Sequence, residues 1–305
     1  MDKLTAIKIK YDDGTYSDEI PISVLSENVE WDNTHTLVDV LGSIDVDAKG
    51  TIQDQIDKLS AQGAGAHNSI YRGKNLGTSV TYKQWAEIKA GTFNDLYIGD
   101  YWTIGGVNWR IAAFDYWLHC GDKECTTHHV VIVPDSCLYN AQMHNTASGG
   151  WESSGNTTEG AYAGSDMRTK NLETAKSTIN SAFGSNHVLN HREHLQNAVT
   201  NGYASGGAWM DSTVELMNEE QVYGCMQFKP GNSLGSTIPN IYNIDYSQFP
   251  LFRLNKAMIS NRANWWLRDV VSAAGFCRVD LYGGGYYVDA SHSIGVRPAF
   301  GIYQS

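Results

Sequence analysis

The tail, 264–302, is short apolar and aromatic runs that Gly and Ser interrupt every few positions: NWWLRDVV (264–271), GF, YGGGYYV and GVRPAF. No helix of ordinary length fits between such breaks, so this part of the chain is predicted to be strands and tight loops. The same texture recurs in YIGDYWTIGGVNWRIAAFDYW (97–117) and HHVVIVPD (128–135), with Gly105-Gly106 as a hairpin turn. Thr81-x-x-Gln84 is a capping-box signal, TYKQWAEIKA (81–90) a helix and Gly91 its stop. Leu172, Ala175, Ile179 and Ala182 share one face of an amphipathic helix over 171–183 that Gly184 ends. A shorter helix is expected over 213–223 and a long Asn/Ser/Gly/Thr-rich loop over 140–165. The fold class is α+β.

The first 62 residues differ. Ala6–Ile9 and Tyr16–Ile22 read as strands around the turn Asp12-Asp13-Gly14. Leu37, Leu41 and Ile44 repeat at i, i+4, i+7, as do Ile52, Ile56 and Leu59 after Thr51 as N-cap. A helix this short is marginal alone. Its apolar stripe needs a partner, in its own domain or in two identical neighbours of a short coiled coil. Residues 63–77 read as a Gly-rich linker. The expected organisation is a small β-rich module with a short helical stem (1–62), a linker (63–77) and a larger domain (78–305).

Composition narrows the function. A net charge of −11 with no run of Lys or Arg argues against non-specific binding to nucleic acid or anionic lipid. No stretch approaches the roughly 18–20 continuous apolar residues of a membrane helix, and MDKLTAIKIKYDDGTYSDE lacks the apolar region of a secretory signal. Only 18% of residues are charged, against 30 Gly, 17 Tyr and 9 Trp, a mixture that suggests a contact surface.

Two histidine clusters invite a metal. His187, His191 and His194 would face one way on a helix, but HREH lacks the HExxH spacing, and polar histidines on a helix face or loop are the plainer reading. His119, Cys120, Cys125, His128 and His129 could surround Zn²⁺, yet their spacing is no standard zinc signature; a hairpin with a disulfide or two thiols is the alternative. No metal or cofactor is assigned. GxSxG, P-loop and GxGxxG motifs are absent, and no acid–base pair stands out, so the chain is not expected to be an enzyme.

The segment 268–297 contains no Lys, Glu, Gln, Met or Trp, types that make up 51 of the 305 residues. None of the five is encoded by a codon ending in C. Depletion of long charged side chains in a Gly/Ser/Tyr-rich segment is the ordinary explanation. However, NWWLRDVVSAAGF, V-x-x-x-G and AS-x-x-x-GVRPAF resemble the carboxy-terminal end of variable proteins of diversity-generating retroelements, in the version seen in phages of gut Gram-positive bacteria. GDYWTIGGVNWRIAAFDYW, HHVVIVPDSCLYNAQMHNT, AGSDMRTKNL, NGYASGGAWMDSTVELMNEEQVYG and QFPLFRL resemble the same family in order, over about 78–302. The opening AIKIKYDDGTYSDEIPISVLSENVEWDNTHTLVDVLGSI resembles the attachment module of phage structural proteins.

The resemblance implies a C-type-lectin-like fold and adenine-directed rewriting of AAC codons to NNC within about 268–297. Its framework maps onto Trp265, Trp266, Leu267, Arg268, Phe276, Val279, Gly283, Ala290, Ser291, Gly295, Val296, Arg297, Pro298 and Phe300. The candidate diversified, ligand-binding positions are Ala274, Gly275, Cys277, Arg278, Asp280, Leu281, Tyr282, Gly284, Gly285, Tyr286, Val288, Asp289, His292, Ser293 and Ile294. Such positions should point to solvent, with Tyr282, Tyr286, Tyr287, Arg278 and His292 as aromatic and hydrogen-bonding contacts. Of the two tryptophans, one is expected in the core and one at the rim. Arg268 and Arg297, which bracket the segment, are expected to anchor carboxylates or backbone carbonyls. The implied protein is a non-enzymatic phage virion protein at the tail or particle surface. Made in the host cytoplasm, it would bind a bacterial surface receptor and meet other virion proteins as a homotrimer, without membrane insertion. The rivals are a cellular surface adhesin of the same fold, which would need an export signal or anchor, a decoration protein with no receptor, and a catalyst like the formylglycine-generating enzymes, whose copper-binding cysteine pair finds no obvious match here.

Overall fold

The computed structural model describes residues 6–7, 20–21, 63–144, 160–200, 202–228 and 247–305. The chain divides into two compact units, Met1–Ala61 and Gln62–Ser305. In the first, strand β1 (Ala6–Ile7) pairs antiparallel with β2 (Ile20–Pro21), Ile7 opposite Ile20. The expected turn at 12–14 and the stem at 51–61 lie outside the described residues.

The second unit is α+β and dominated by sheet. Gly105 and Gly106, with φ of 61° and 78°, supply the two left-handed residues that a two-residue hairpin needs. They join β3 (Tyr101–Ile104) to β4 (Val107–Phe114). Next to β4 runs β5 (Val130–Pro134), whose side chains are all buried. With β14 (Pro298–Ile302) and β9 (Val214–Leu216), these strands form an antiparallel sheet in the order β3-β4-β5-β14-β9. Trp109 of β4 meets Phe300 of β14 and Phe183 edge to face, so the first sheet's core is largely aromatic.

Two helices follow their local signals. Thr81 and Gln84 close a reciprocal capping box on α2 (Tyr82–Ala90), the helix after the single turn α1 (Ala64–His67), and Gly91 ends it in the left-handed conformation. On α3 (Leu172–Phe183), Leu172, Ala175, Ile179 and Phe183 are buried, while the expected Ala182 is only partly covered.

A second sheet has the order β12-β11-β10-β13-β6. Its strands are β6 (Tyr139–Gln142), β10 (Trp265–Val270), β11 (Gly275–Val279), β12 (Gly285–Asp289) and β13 (Ser293–Val296). All pair antiparallel except β10 and β13, which run parallel with Trp265 beside Gly295. The chain passes from this sheet to the first at one residue, Arg297, between the end of β13 and the start of β14. A ten-residue ribbon, β7 (His191–Thr200) with β8 (Tyr203–Ser212), forms a separate two-stranded sheet.

Four expectations need correction. Residues 63–77 are hydrogen-bonded into the larger unit: Arg72 N donates to Ile98 O (2.9 Å), Leu76 N to Tyr101 O (2.7 Å), and the Arg72 guanidinium grips Asp100. Gly63, Gly73 and Gly77 serve the path of this packed segment by taking positive φ. The span 213–223 is strand β9 followed by the shorter helix α4 (Glu219–Tyr223), because Asn218 and Gln221 cap the helix only there. His191 and His194 lie on strand β7, so their i, i+3 spacing puts them on opposite faces. Both Trp265 and Trp266 are fully buried, with neither at a rim; Trp266 Nε1 donates to Ala141 O at 2.8 Å.

Gly295 is the tightest point of the second sheet. A Cβ there would lie 2.3 Å from Cys137 Sγ and 2.9 Å from Asn264 O. Gly295→Ala is therefore expected to cost about 1–3 kcal/mol, read by urea unfolding. Gly65→Ala, with open space around it, should stay within about 0.5 kcal/mol of the native protein. Equal stability of the two variants would contradict this packing.

Candidate functional site

Residues 268–297 run through β10, β11, β12 and β13. Their exposure is uneven, and strand pairing explains why. β11 lies between β10 and β12, so its backbone is satisfied on both edges. Phe276 and Val279 are buried, as a framework requires, but so are Ala274, Gly275 and Cys277. Those three candidate contacts therefore do not face solvent. Cys277 is 0% exposed and sits with the carboxylates of Glu219 and Asp269, their ligand atoms all within 4.8 Å of one another.

The surface is made by the turn after β11, by β12 and by the turn after β12. Leu281, Tyr282 and Tyr286 are 41%, 84% and 46% exposed, and Gly284, His292 and Ser293 are also exposed. Arg278, Asp280, Gly285, Val288, Asp289 and Ile294 are half-buried. Five residues of β12 separate the two turns by about 17 Å.

Asp280 has a structural task. Its Oδ1 accepts from Tyr282 N (2.8 Å) and Gly284 N (2.9 Å), and its own N donates to Gly284 O (2.8 Å). Gly283 takes φ 93° inside this turn. Ser260 Oγ donates to Leu281 O (3.0 Å) and Tyr223 Oη to Gly283 O (3.2 Å), buttressing the turn from outside the segment. Arg278 donates to Asn264 Oδ1, and its guanidinium lies 5.1 Å from the centre of the Tyr286 ring. The Tyr286 and Tyr287 rings stack 5.0 Å apart and 6° from parallel. Phe228, which sequence reasoning did not single out, stands 5.5 Å from both.

Both bracketing arginines turn inward. Arg297 donates to the carbonyls of Pro134 (2.8 Å), Met258 (3.0 Å) and Ile259 (3.3 Å), and its guanidinium packs over Trp265 and Phe252. Burial pushes its pKa down to about 10, which leaves it charged at neutral pH. Arg268 pairs with buried Glu193 on β7, and Glu193 also meets His191 Nε2 at 3.0 Å. Burial alone would raise the Glu193 pKa; the charge of Arg268 and the His191 hydrogen bond override it and hold the carboxyl down to about 2. Gln196 Oε1 adds a bond from Val270 N (3.0 Å), so the ribbon and β10 are joined at two points.

Among the described residues, neither histidine cluster gathers its side chains into one ligand set. His129 is buried, with Nδ1 on Thr127 O (2.8 Å) and Nε2 accepting from Trp117 N (3.1 Å). Burial pushes its pKa down to about 3, so it is neutral. His128 is held by Asp115 (2.7 Å) and His119 by Glu124. Among the described residues, Glu219, Asp269 and Cys277 are the group whose ligand atoms do gather.

The ion pair sets an acid limit. The folded pKa of Glu193 lies below its ordinary 4.5, so its stabilisation is complete above that value and is lost as pH falls towards 2. His129 works in the same sense, losing its contribution as pH falls below 6.5 towards 3. Glu193→Gln should lower stability at pH 7 by about 2–4 kcal/mol, because the largely covered Arg268 loses the carboxylate it pairs with and keeps only the more distant charge of Glu215. It should also flatten the decline below pH 4.5, followed by urea unfolding with Trp fluorescence; parallel pH curves would contradict the assignment. No family model, curated protein or solved structure matches the chain in the comparisons made with known proteins.

Proposed function

We propose that the chain is a variable protein of a phage diversity-generating retroelement, its larger unit a C-type-lectin-like domain that binds a bacterial surface receptor without catalysis. One observation carries the reading. The segment lacking every residue type that a C-ending codon cannot encode supplies exposed Tyr282, Tyr286 and His292, while of the arginines at its ends Arg297 is buried in the frame and Arg268 pairs with buried Glu193. Interchangeable contacts need just this separation: Leu281, Tyr282, Tyr286, His292 and Ser293 can change without opening the core, and Trp265, Phe276, Val279 and Arg297 hold the strands in place. Tyr and Arg on such a surface give rigid contact area with directional hydrogen bonds, the chemistry of paratopes.

The protein acts on the particle, at the tail or elsewhere on its surface. It is made in the host cytoplasm and assembled with other virion proteins through the amino-terminal unit. Three copies joined through residues 1–62 present three faces, and avidity strengthens individually weak contacts. Among the described residues no helix is long and apolar enough to cross a membrane.

The reading makes a genomic and a binding forecast. DNA near the gene should hold a near-copy of the codons for 268–297 with adenines at the exposed positions, beside a reverse-transcriptase reading frame. Fluorescently labelled full-length protein should stain some members of a panel of gut Gram-positive bacteria. Tyr282→Ala with Tyr286→Ala should reduce that staining by about 30-fold or more, the effect of losing interface hot spots. Light scattering at micromolar protein should give three times the 33.7 kDa chain mass. Absence of the template repeat together with unchanged staining by the double variant would refute the proposal.

A further inference from the structure

The binding face includes one large side chain from outside the replaceable segment, and a chain of buried carboxylates holds it there. Asp269 of β10 accepts from the backbone N–H of Glu219 at 2.6 Å, fixing the first residue of α4. The Glu219 carboxylate, also buried, reaches forward to the loop after that helix. Its Oε1 accepts from Phe228 N (2.9 Å) and its Oε2 from Gln227 N (3.0 Å). The loop lies close against β12: a Cβ at residue 285 would lie 3.2 Å from Gln227 Cβ. The relay ends at the Phe228 ring, against both stacked tyrosines.

We propose that Asp269, Glu219 and Phe228 are positioning residues for the binding face, setting the pose of Tyr286 and Tyr287 from outside the diversified positions. Two adjacent tyrosines on a strand ordinarily point to opposite faces. Here their rings lie parallel, and Phe228 contacts both. Ordering such side chains before a partner arrives lowers the entropic cost of binding. The relay also explains how a buried position reaches the surface. Cys277 shares a site with Glu219 and Asp269, so a different side chain at 277 displaces the carboxylates that hold the loop and alters the tyrosines without touching a ligand. This inference rests on the reading of the face as a binding surface.

Hydroxyl-radical footprinting of the full-length chain, resolved by mass spectrometry, tests it without a ligand. Phe228→Ala removes the ring from a half-buried loop position. Glu219→Gln keeps the shape but puts an NH₂ group against one of the two backbone donors. In both variants half-buried Tyr287 should become several-fold more reactive and Tyr286, already 46% exposed, more reactive by a smaller factor, while exposed Tyr282 and buried Tyr162 keep their native reactivity. Phe228→Tyr should retain native protection. Unchanged reactivity of Tyr286 and Tyr287 in Phe228→Ala would overturn the proposal, as would a rise shared equally by Tyr162, which would mean general loosening. The readout comes from the protein alone, so it stands or falls separately from the staining of bacteria.

Discussion

Arg297 carries a charge into a place where backbone carbonyls answer it, and the two main sheets meet at that residue. Its three acceptors come from the end of β5 and from residues 258 and 259. A guanidinium with its planar fork of donors can bind such separated acceptors at once; a lysine ammonium on its flexible stem is a poorer match. Buried and desolvated, it must keep those partners, and so it fixes where β13 ends and β14 begins. Arg268 does the corresponding work at the other end of the segment, tying β10 to the ribbon through Glu193. The thirty residues from Arg268 to Arg297 are thus held by their ends.

This arrangement separates two demands that usually conflict. A surface that changes its side chains must not rely on them for stability, yet contacts must be held rigidly to bind well. Here burial falls on β10, on β11 and on the first residues after β13, while the exposed side chains come from the two turns and from Tyr286 of β12. The boundary is not perfectly clean. Asp280 builds its own turn through two backbone amides, and Cys277 lies beside buried carboxylates. Changes at these positions act through the backbone or the core as well as through the surface.

Much of the fold was legible in the sequence because its signals are local. The Gly105-Gly106 hairpin, the Thr81 capping box, the Gly91 stop and the apolar face of α3 each need only a few neighbouring residues. What could not be read depends on distant partners. His191 and His194 suit a helix or a strand equally by spacing, and only pairing with β8 decides. The polar, Gly-rich 63–77 looked like a linker because the Asp100 that grips Arg72 is far away in sequence. The candidate site shows the same division. Exposure of Tyr282, Tyr286 and His292 follows from turn residues nearby, whereas burial of Ala274, Gly275 and Cys277 follows from β11 being flanked on both edges. Phe228 was invisible because its role is set by Glu219, nine positions earlier, and by β12, more than fifty positions later.

The central claim is that a replaceable surface overlies a frame anchored at both ends. It is tested most directly by substituting every position from 268 to 297 with all residues that C-ending codons encode and scoring folded protein by resistance to proteolysis on a display platform. The account expects Leu281, Tyr282, Tyr286, His292 and Ser293 to accept nearly all of them, and Arg268, Phe276, Val279, Gly295 and Arg297 to accept almost none. Comparable intolerance in the two groups, or free replacement of Arg297, would contradict it.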